Sequence, residues 1–173
     1  MPPYEVRPYD RQRAVDYAHK WAYFRNPDYY DFSDIGGDCT NFSSQCLHAG
    51  SGVMNYTKTM GWYYSSLHNR APAWTGVHFL YNFLTRNTGV GPFATEVGIE
   101  LVEPGDLVQL AIYQEEFHHC PFIVDVQGEP SLESVYIAAH TFDCDNRPLH
   151  SYDFRAIRYL HIEGVRHGGH PRK

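Results

Sequence analysis

The sequence contains no apolar run approaching the ~18 residues of a membrane-spanning helix. Its charges do not gather either. The formal balance of −6 is spread along the chain, so the basic footprint of a nucleic-acid binder is absent. Cysteine is scarce, with 4 in 173 residues, too few for a disulfide scaffold in a chain of this length. None falls in a CxxC pair, which leaves a zinc ribbon or thioredoxin-type site unsupported. The opening residues MPPYEVRPYDRQR have no apolar core after a charged segment, so a secretory leader is not expected there. No internal repeat or low-complexity block appears.

Aromatic and imidazole side chains are plentiful. Aromatics make up 16% of the chain, with 14 Tyr and 10 Phe, beside 11 His. Apolar residues reach 43%, enough for a core, and the length fits one domain over 1–173. Three prolines in residues 2–9 predict an extended arm over 1–9. Residues 165–173, ending in HGGHPRK, read as a polar tail.

Asp10 is placed to cap a helix from Arg11 to about Phe24. Ala14, Tyr17, Ala18, Trp21 and Ala22 share one face of it. Asn26-Pro27-Asp28 ends it. The segment IGGDCTNFSSQCLHAGSG follows. There Cys39, Phe42, Cys46 and Ala49 recur at helical spacing, behind a Gly-Gly turn. A further helix is predicted over Gly76–Thr85. Beyond it the period changes to that of strands: Leu107–Ile112, Pro121–Val126, Val135–Thr141 and Ala156–Ile162. Helices first and strands after argue an α+β fold with an antiparallel sheet.

Cys39 opens its predicted helix. The first turn of a helix carries free N–H groups and partial positive charge. Both favour a thiolate, the reactive form of cysteine, and the same N–H groups can hold an oxyanion. Cys39 is therefore the candidate nucleophile, against the alternative of a small buried residue. Cys46, two turns further in, fits that blander role. A thiol nucleophile needs a base, and His118 and His119 stand at a strand entrance in FHHCPFIVDV. Strand alternation separates their faces without saying which one meets the helix. His140, in VYIAAHTFD, is placed to orient the base from a neighbouring strand. Asp143 is its substitute, and Asp38 is a further candidate for support. Asn26 or Tyr30, before the Gly-Gly turn, are candidate oxyanion or substrate donors. Trp62, Tyr63, Tyr64 and Trp74 are candidates to line a cleft for peptide or sugar. Core packing is the competing reading for Trp74.

The ordered stretches GGDCTNFSSQCLHAG, AVDYAHKWAYFRNPDYYDF, GWYYSSLHNRAPAWTGVHFLYNFL, HHCPFIVDV and AAHTFDCDNRPLHSY resemble the putative amidase domain family. That family is a branch of the papain-like amidases, related to the CHAP-type cell-wall hydrolases. The resemblance implies a cysteine amidase or peptidase with a papain-like fold, its nucleophile at the start of a helix packed on an antiparallel sheet. It implies Cys39 as nucleophile and His119 as base, because the family pattern runs His, small residue, Pro, apolar strand. It implies His140 at the third, polar position. Peptidoglycan peptide or amide bonds are the substrate class it suggests, with no cofactor.

Three rivals stand beside this expectation. One is a zinc site drawn from His118, His119, Cys120, His140 and Cys144, although their spacing matches no metal motif. Another is a binding module that keeps the fold without the activity. The third is acyl transfer to an amine by the same residues. In an oxidising compartment Cys120 and Cys144 are candidates to pair. Location stays open: the suggested substrate points outside the membrane and the missing leader points inside.

Overall fold

The Asp10 carboxylate accepts a hydrogen bond from the Arg13 N–H at 3.0 Å and starts the first helix, α1 (Arg11–Trp21). The computed structural model describes residues 4–168. In chain order its elements are β1 (Tyr4–Arg7), α1, α2 (Cys39–Ser51), β2 (Tyr64–Ser66), β3 (Asn69–Arg70), α3 (Pro72–Thr75), α4 (Val77–Arg86), β4 (Gly91–Val97), β5 (Leu107–Ala111), β6 (Phe122–Val126), β7 (Val135–Ala139), β8 (Cys144–Pro148) and β9 (Ala156–Gly168). The fold is α+β, with helices packed on antiparallel strands.

Among the described residues seven strands form one antiparallel sheet in the order β1-β9-β5-β6-β7-β8, with β4 on β9. β9 is its spine. Its first half pairs with β5 (Leu107↔Leu160), its last residues pair with β1 (Arg7↔Val165), and β4 runs along it as well. Strand alternation sorts the apolar side chains onto two faces. Leu107, Phe122, Val124, Ala138, Leu160 and Ile162 face the helices. Val108, Leu110, Ile123, Ile137 and Tyr159 form a second cluster behind, with Leu149. The polar tail expected over 165–173 is corrected for its first part: Val165 is buried and residues up to Gly168 belong to β9. The remainder lies outside the described residues.

The helix α2 departs from the one-faced pattern expected of it. Residues 38–47 are all buried, because α1, α3 and the sheet surround the helix. Its small polar side chains are satisfied one by one. Ser43 donates to the Cys120 carbonyl at 2.6 Å, Ser44 accepts from Trp62 Nε1, Asn41 accepts from Trp74 Nε1, and Gln45 accepts from Tyr17. Buried hydroxyls and amides are tolerated only on such terms. Gly50 allows the α1–α2 crossing, since a Cβ there would meet the Tyr9 ring at 2.4 Å and Asp10 O at 2.7 Å. Across the sheet, Arg11 donates to buried Asp106 at 2.7 Å and to the Ile162 carbonyl at 2.7 Å, which ties α1 to the turn before β5 and to β9.

Candidate active site

Gly36 and Gly37 take φ of 83° and 101°, the left-handed region that glycine enters without a Cβ penalty. They turn the chain into Asp38, whose N–H donates to Thr141 Oγ1 at 3.1 Å. Gly37 is held so close to that hydroxyl that a Cβ would sit 3.3 Å from it. Asp38 occupies the N-cap of α2, yet its side chain caps no N–H of the helix. Its carboxylate accepts from Phe32 N at 2.8 Å, from Asn41 Nδ2 at 2.9 Å and from His140 Nδ1 at 2.5 Å. The N–H groups of the first turn of α2 are thereby left without a side-chain cap from Asp38.

Cys39 is 7% exposed. Its sulfur lies against the backbone of residues 118–120, 3.8 Å from His118 O and beside the Cys120 N–H. The Ser43–Cys120 hydrogen bond pins the helix to this strand entrance. Burial raises the Cys39 thiol above its ordinary value, outweighing the Cys120 N–H and the Thr40 hydroxyl and N–H that favour the thiolate. The depressed thiol expected from helix position alone is thus corrected: desolvation is the larger effect.

His119 is buried, and burial pulls its imidazole down to about 4, with His118 and Arg147 adding to the effect. Thiol and imidazole are both neutral at rest. His118 and His119 both donate their N–H to Leu110 O, at 3.0 and 3.2 Å. Two residues therefore oppose one, a bulge that breaks the alternation by which the two side chains would be assigned to faces. His119 Nε2 lies 3.3 Å from the Tyr152 hydroxyl, and the rings sit 5.6 Å apart. Among the described residues Nδ1 of His119 has no hydrogen-bond partner.

Among the described residues His140 makes no hydrogen bond to His119. It stacks on Phe42 with ring centroids 4.1 Å apart, and it places Nδ1 on Asp38 and Nε2 on the Trp21 carbonyl at 2.8 Å. A carbonyl oxygen only accepts, so Nε2 carries a proton, and Nδ1 shares one with the carboxylate. Neither nitrogen is left to orient another imidazole. Asp143 is also elsewhere: it takes a two-point hydrogen bond from Arg25 at 2.9 and 3.0 Å. Arg25 in turn lies 3.6 Å from Asp38.

The aromatic candidates divide. Trp62 and Trp74 are fully buried, 4.9 Å apart by ring centroid, with both indole N–H groups bonded to α2, so they are core and line no cleft. Tyr63 is half-buried against Tyr56. Tyr64, also half-buried, packs on Tyr29 and accepts from the Tyr30 N–H at 2.9 Å. The Tyr30 carbonyl accepts from Asn41 at 3.0 Å, which sets the Tyr30 backbone beside the first turn of α2. Asn26 is spent on local partners, donating to Tyr17 OH of α1 and accepting from Asp28 N.

Tyr152 was not among the residues selected from sequence. It lies within the stretch AAHTFDCDNRPLHSY, but β8 and the short turn Leu149–Ser151 separate it from the histidines, and no spacing rule spans that distance. The zinc alternative fares poorly on geometry. Among the described residues no three His, Cys, Asp or Glu side chains gather into a ligand set. Nor are Cys120 and Cys144 placed to pair: all four cysteines are free, and these two belong to the apolar clusters on opposite faces of the sheet.

An uncharacterized protein of Bacillus subtilis (strain 168), YhbB, is 40% identical over 110 residues, covering 58% of this chain and 32% of the relative. The chain thus corresponds to about a third of that longer protein. No solved structure matches this chain. Residues 8–162, from the Pro before α1 into the middle of β9, match the putative amidase domain, and the chain belongs to that family.

Proposed function

We propose that the protein is a cysteine-dependent hydrolase of amide bonds, with Cys39 as nucleophile, His119 as base and a papain-like arrangement of helix and sheet. The observation that carries this reading is the seat of the Cys39 sulfur. It sits at the first turn of a buried helix and against the strand entrance that bears His119. Family membership supports the reaction class.

The two partners start neutral, so the proton moves as attack proceeds. The Cys39 thiol gives its proton to His119 Nδ1 while sulfur bonds to the substrate carbonyl carbon. The carbonyl oxygen gains the negative charge and is held by N–H groups of the first turn of α2. His119 then delivers its proton to the leaving nitrogen, the C–N bond breaks, and an amine departs from a thioester. Water attacks that thioester, His119 takes its proton, and the C–S bond breaks to release the acid and restore the thiol. An amine in place of water gives acyl transfer by the same residues. Cell-wall peptides are the substrate class we propose.

The test is release of new amino groups from peptidoglycan-derived peptides by the protein and by Cys39→Ala. Loss of release in the variant is the expected result. Undiminished release would overturn the reading, and a folded wild type without activity on any amide would favour a binding module.

A further inference from the structure

We infer that Tyr152, not His140, is the positioning residue for His119. The inference rests on the reading of His119 as the base. The wider pattern of such sites assigns the third place to a polar residue on the strand after the base, which is His140. Here that residue is committed to a different task. Its two nitrogens face acceptors, the Asp38 carboxylate and the Trp21 carbonyl, and its ring is stacked on Phe42 of α2. It locks the start of the nucleophile helix to the end of β7 and to the end of α1.

The Tyr152 hydroxyl holds the position His140 leaves open. It lies 3.3 Å from His119 Nε2 and 3.8 Å from Cys144 Sγ. Its ring is clamped by the Arg147 guanidinium, 3.7 Å from the ring centroid. Arg147 is itself fixed by Ser151 Oγ at 2.7 Å. The chemistry of the base dictates the direction of this chain. To accept a proton from Cys39, His119 Nδ1 must carry a lone pair, so the proton of the neutral ring sits on Nε2. Nε2–H then donates to the Tyr152 oxygen, and the Tyr152 O–H is free to point at the Cys144 sulfur. The same bond persists when the ring becomes an imidazolium. Burial holds the Tyr152 phenol well above its ordinary range, so it works as a neutral dipole and not as a counter-charge. An orienting oxygen that stays neutral fixes the tautomer without trapping the proton on the base.

The charged groups that act on His119 are His118 beside it in the chain and Arg147 from β8, and Tyr152 reaches its ring; Cys39 of α2 lies against the neighbouring backbone, 3.8 Å from His118 O. None but Tyr152 makes a hydrogen bond to its ring among the described residues.

The experiment uses Tyr152→Phe, which keeps the ring and its stacking on Arg147 and removes only the hydroxyl. The full chain is labelled with 15N at histidine, and the His119 tautomer is read by NMR. The rate of Cys39 alkylation by iodoacetamide at pH 7 is measured beside it. The wild type should show the Nε2–H form of His119. In Tyr152→Phe a mixture of tautomers and an alkylation rate at least about 10-fold lower are expected, with the unfolding midpoint little changed. His140→Gln should lower the unfolding midpoint and leave the His119 tautomer as it was. An unchanged His119 tautomer in Tyr152→Phe, or a tautomer that follows His140→Gln instead, would overturn the inference. The tautomer reports on Tyr152 even if Cys39 proves unreactive, which would sink only the nucleophile reading.

Discussion

Replacing His119 with Gln should abolish a specific pH dependence of folding stability. In the folded protein burial pulls His119 from 6.5 down to about 4. Between those two values the unfolded chain binds a proton that the folded one refuses. Stability is therefore full above pH 6.5 and declines as pH falls, until the loss is complete below about 4. A difference of roughly two and a half units at 1.36 kcal/mol each amounts to about 3 kcal/mol. Gln has similar bulk and no proton to gain. His48, which burial also lowers, contributes to wild type and variant alike and cancels in the comparison. The assay is urea unfolding of both proteins at several pH values from 7 to 4, taking the difference in free energy at each. That difference should shrink by about 3 kcal/mol toward pH 4, from the same linkage. Parallel pH dependence in the two proteins would refute the claim that His119 is held neutral.

Other perturbations follow from the same geometry. Hydrolysis should fade only as pH drops toward the His119 value of about 4, because a protonated ring cannot accept the thiol proton; a rate already lost near pH 6 would contradict this. Asp38→Ala leaves His140 buried without its carboxylate and should cost about 3–5 kcal/mol, seen calorimetrically as a midpoint lower by about 10 °C. A loss under about 1 kcal/mol would place the pair at the level of a surface ion pair. Thr141 and Phe142 take φ of 63° and 61°, and the Phe142 ring is 88% exposed. Phe142→Gly should thus stabilise the protein by up to about 1 kcal/mol, and destabilisation would show that the exposed ring makes contacts the structure does not show.

Much of the fold is legible in the sequence because its signals are local. Asp10 before Arg11 and the apolar runs that became β5, β6 and β7 each carry their own capping or periodicity. What is illegible depends on partners remote in the chain. β4 and the last residues of β9 are strands because they pair with each other, and nothing in GPFATEV announces that. The helix α2 reads as one-faced because Cys39, Phe42, Cys46 and Ala49 recur at helical spacing. Its serines and Asn41 are buried all the same, since Trp62, Trp74 and Cys120 O supply partners from elsewhere. The same holds in the candidate site. The helix start at Cys39 can be read from Gly-Gly-Asp and periodicity. That His140 faces Asp38, or that Tyr152 reaches His119, depends on tertiary register alone.

The most direct measurement is the pH dependence of Cys39 alkylation by iodoacetamide in the wild type and in His119→Ala, with the label located by peptide mass. With His119 as the proposed base, Cys39 of the wild type should react across neutral pH and faster than Cys46. Without it the buried thiol, already lifted above its ordinary 9.0, must ionise unaided. The rate at pH 7 should then fall by about 100-fold and recover only in strong alkali. Equal rates in the two proteins, or a Cys39 no more reactive than Cys46, would contradict the assignment of a Cys39–His119 pair.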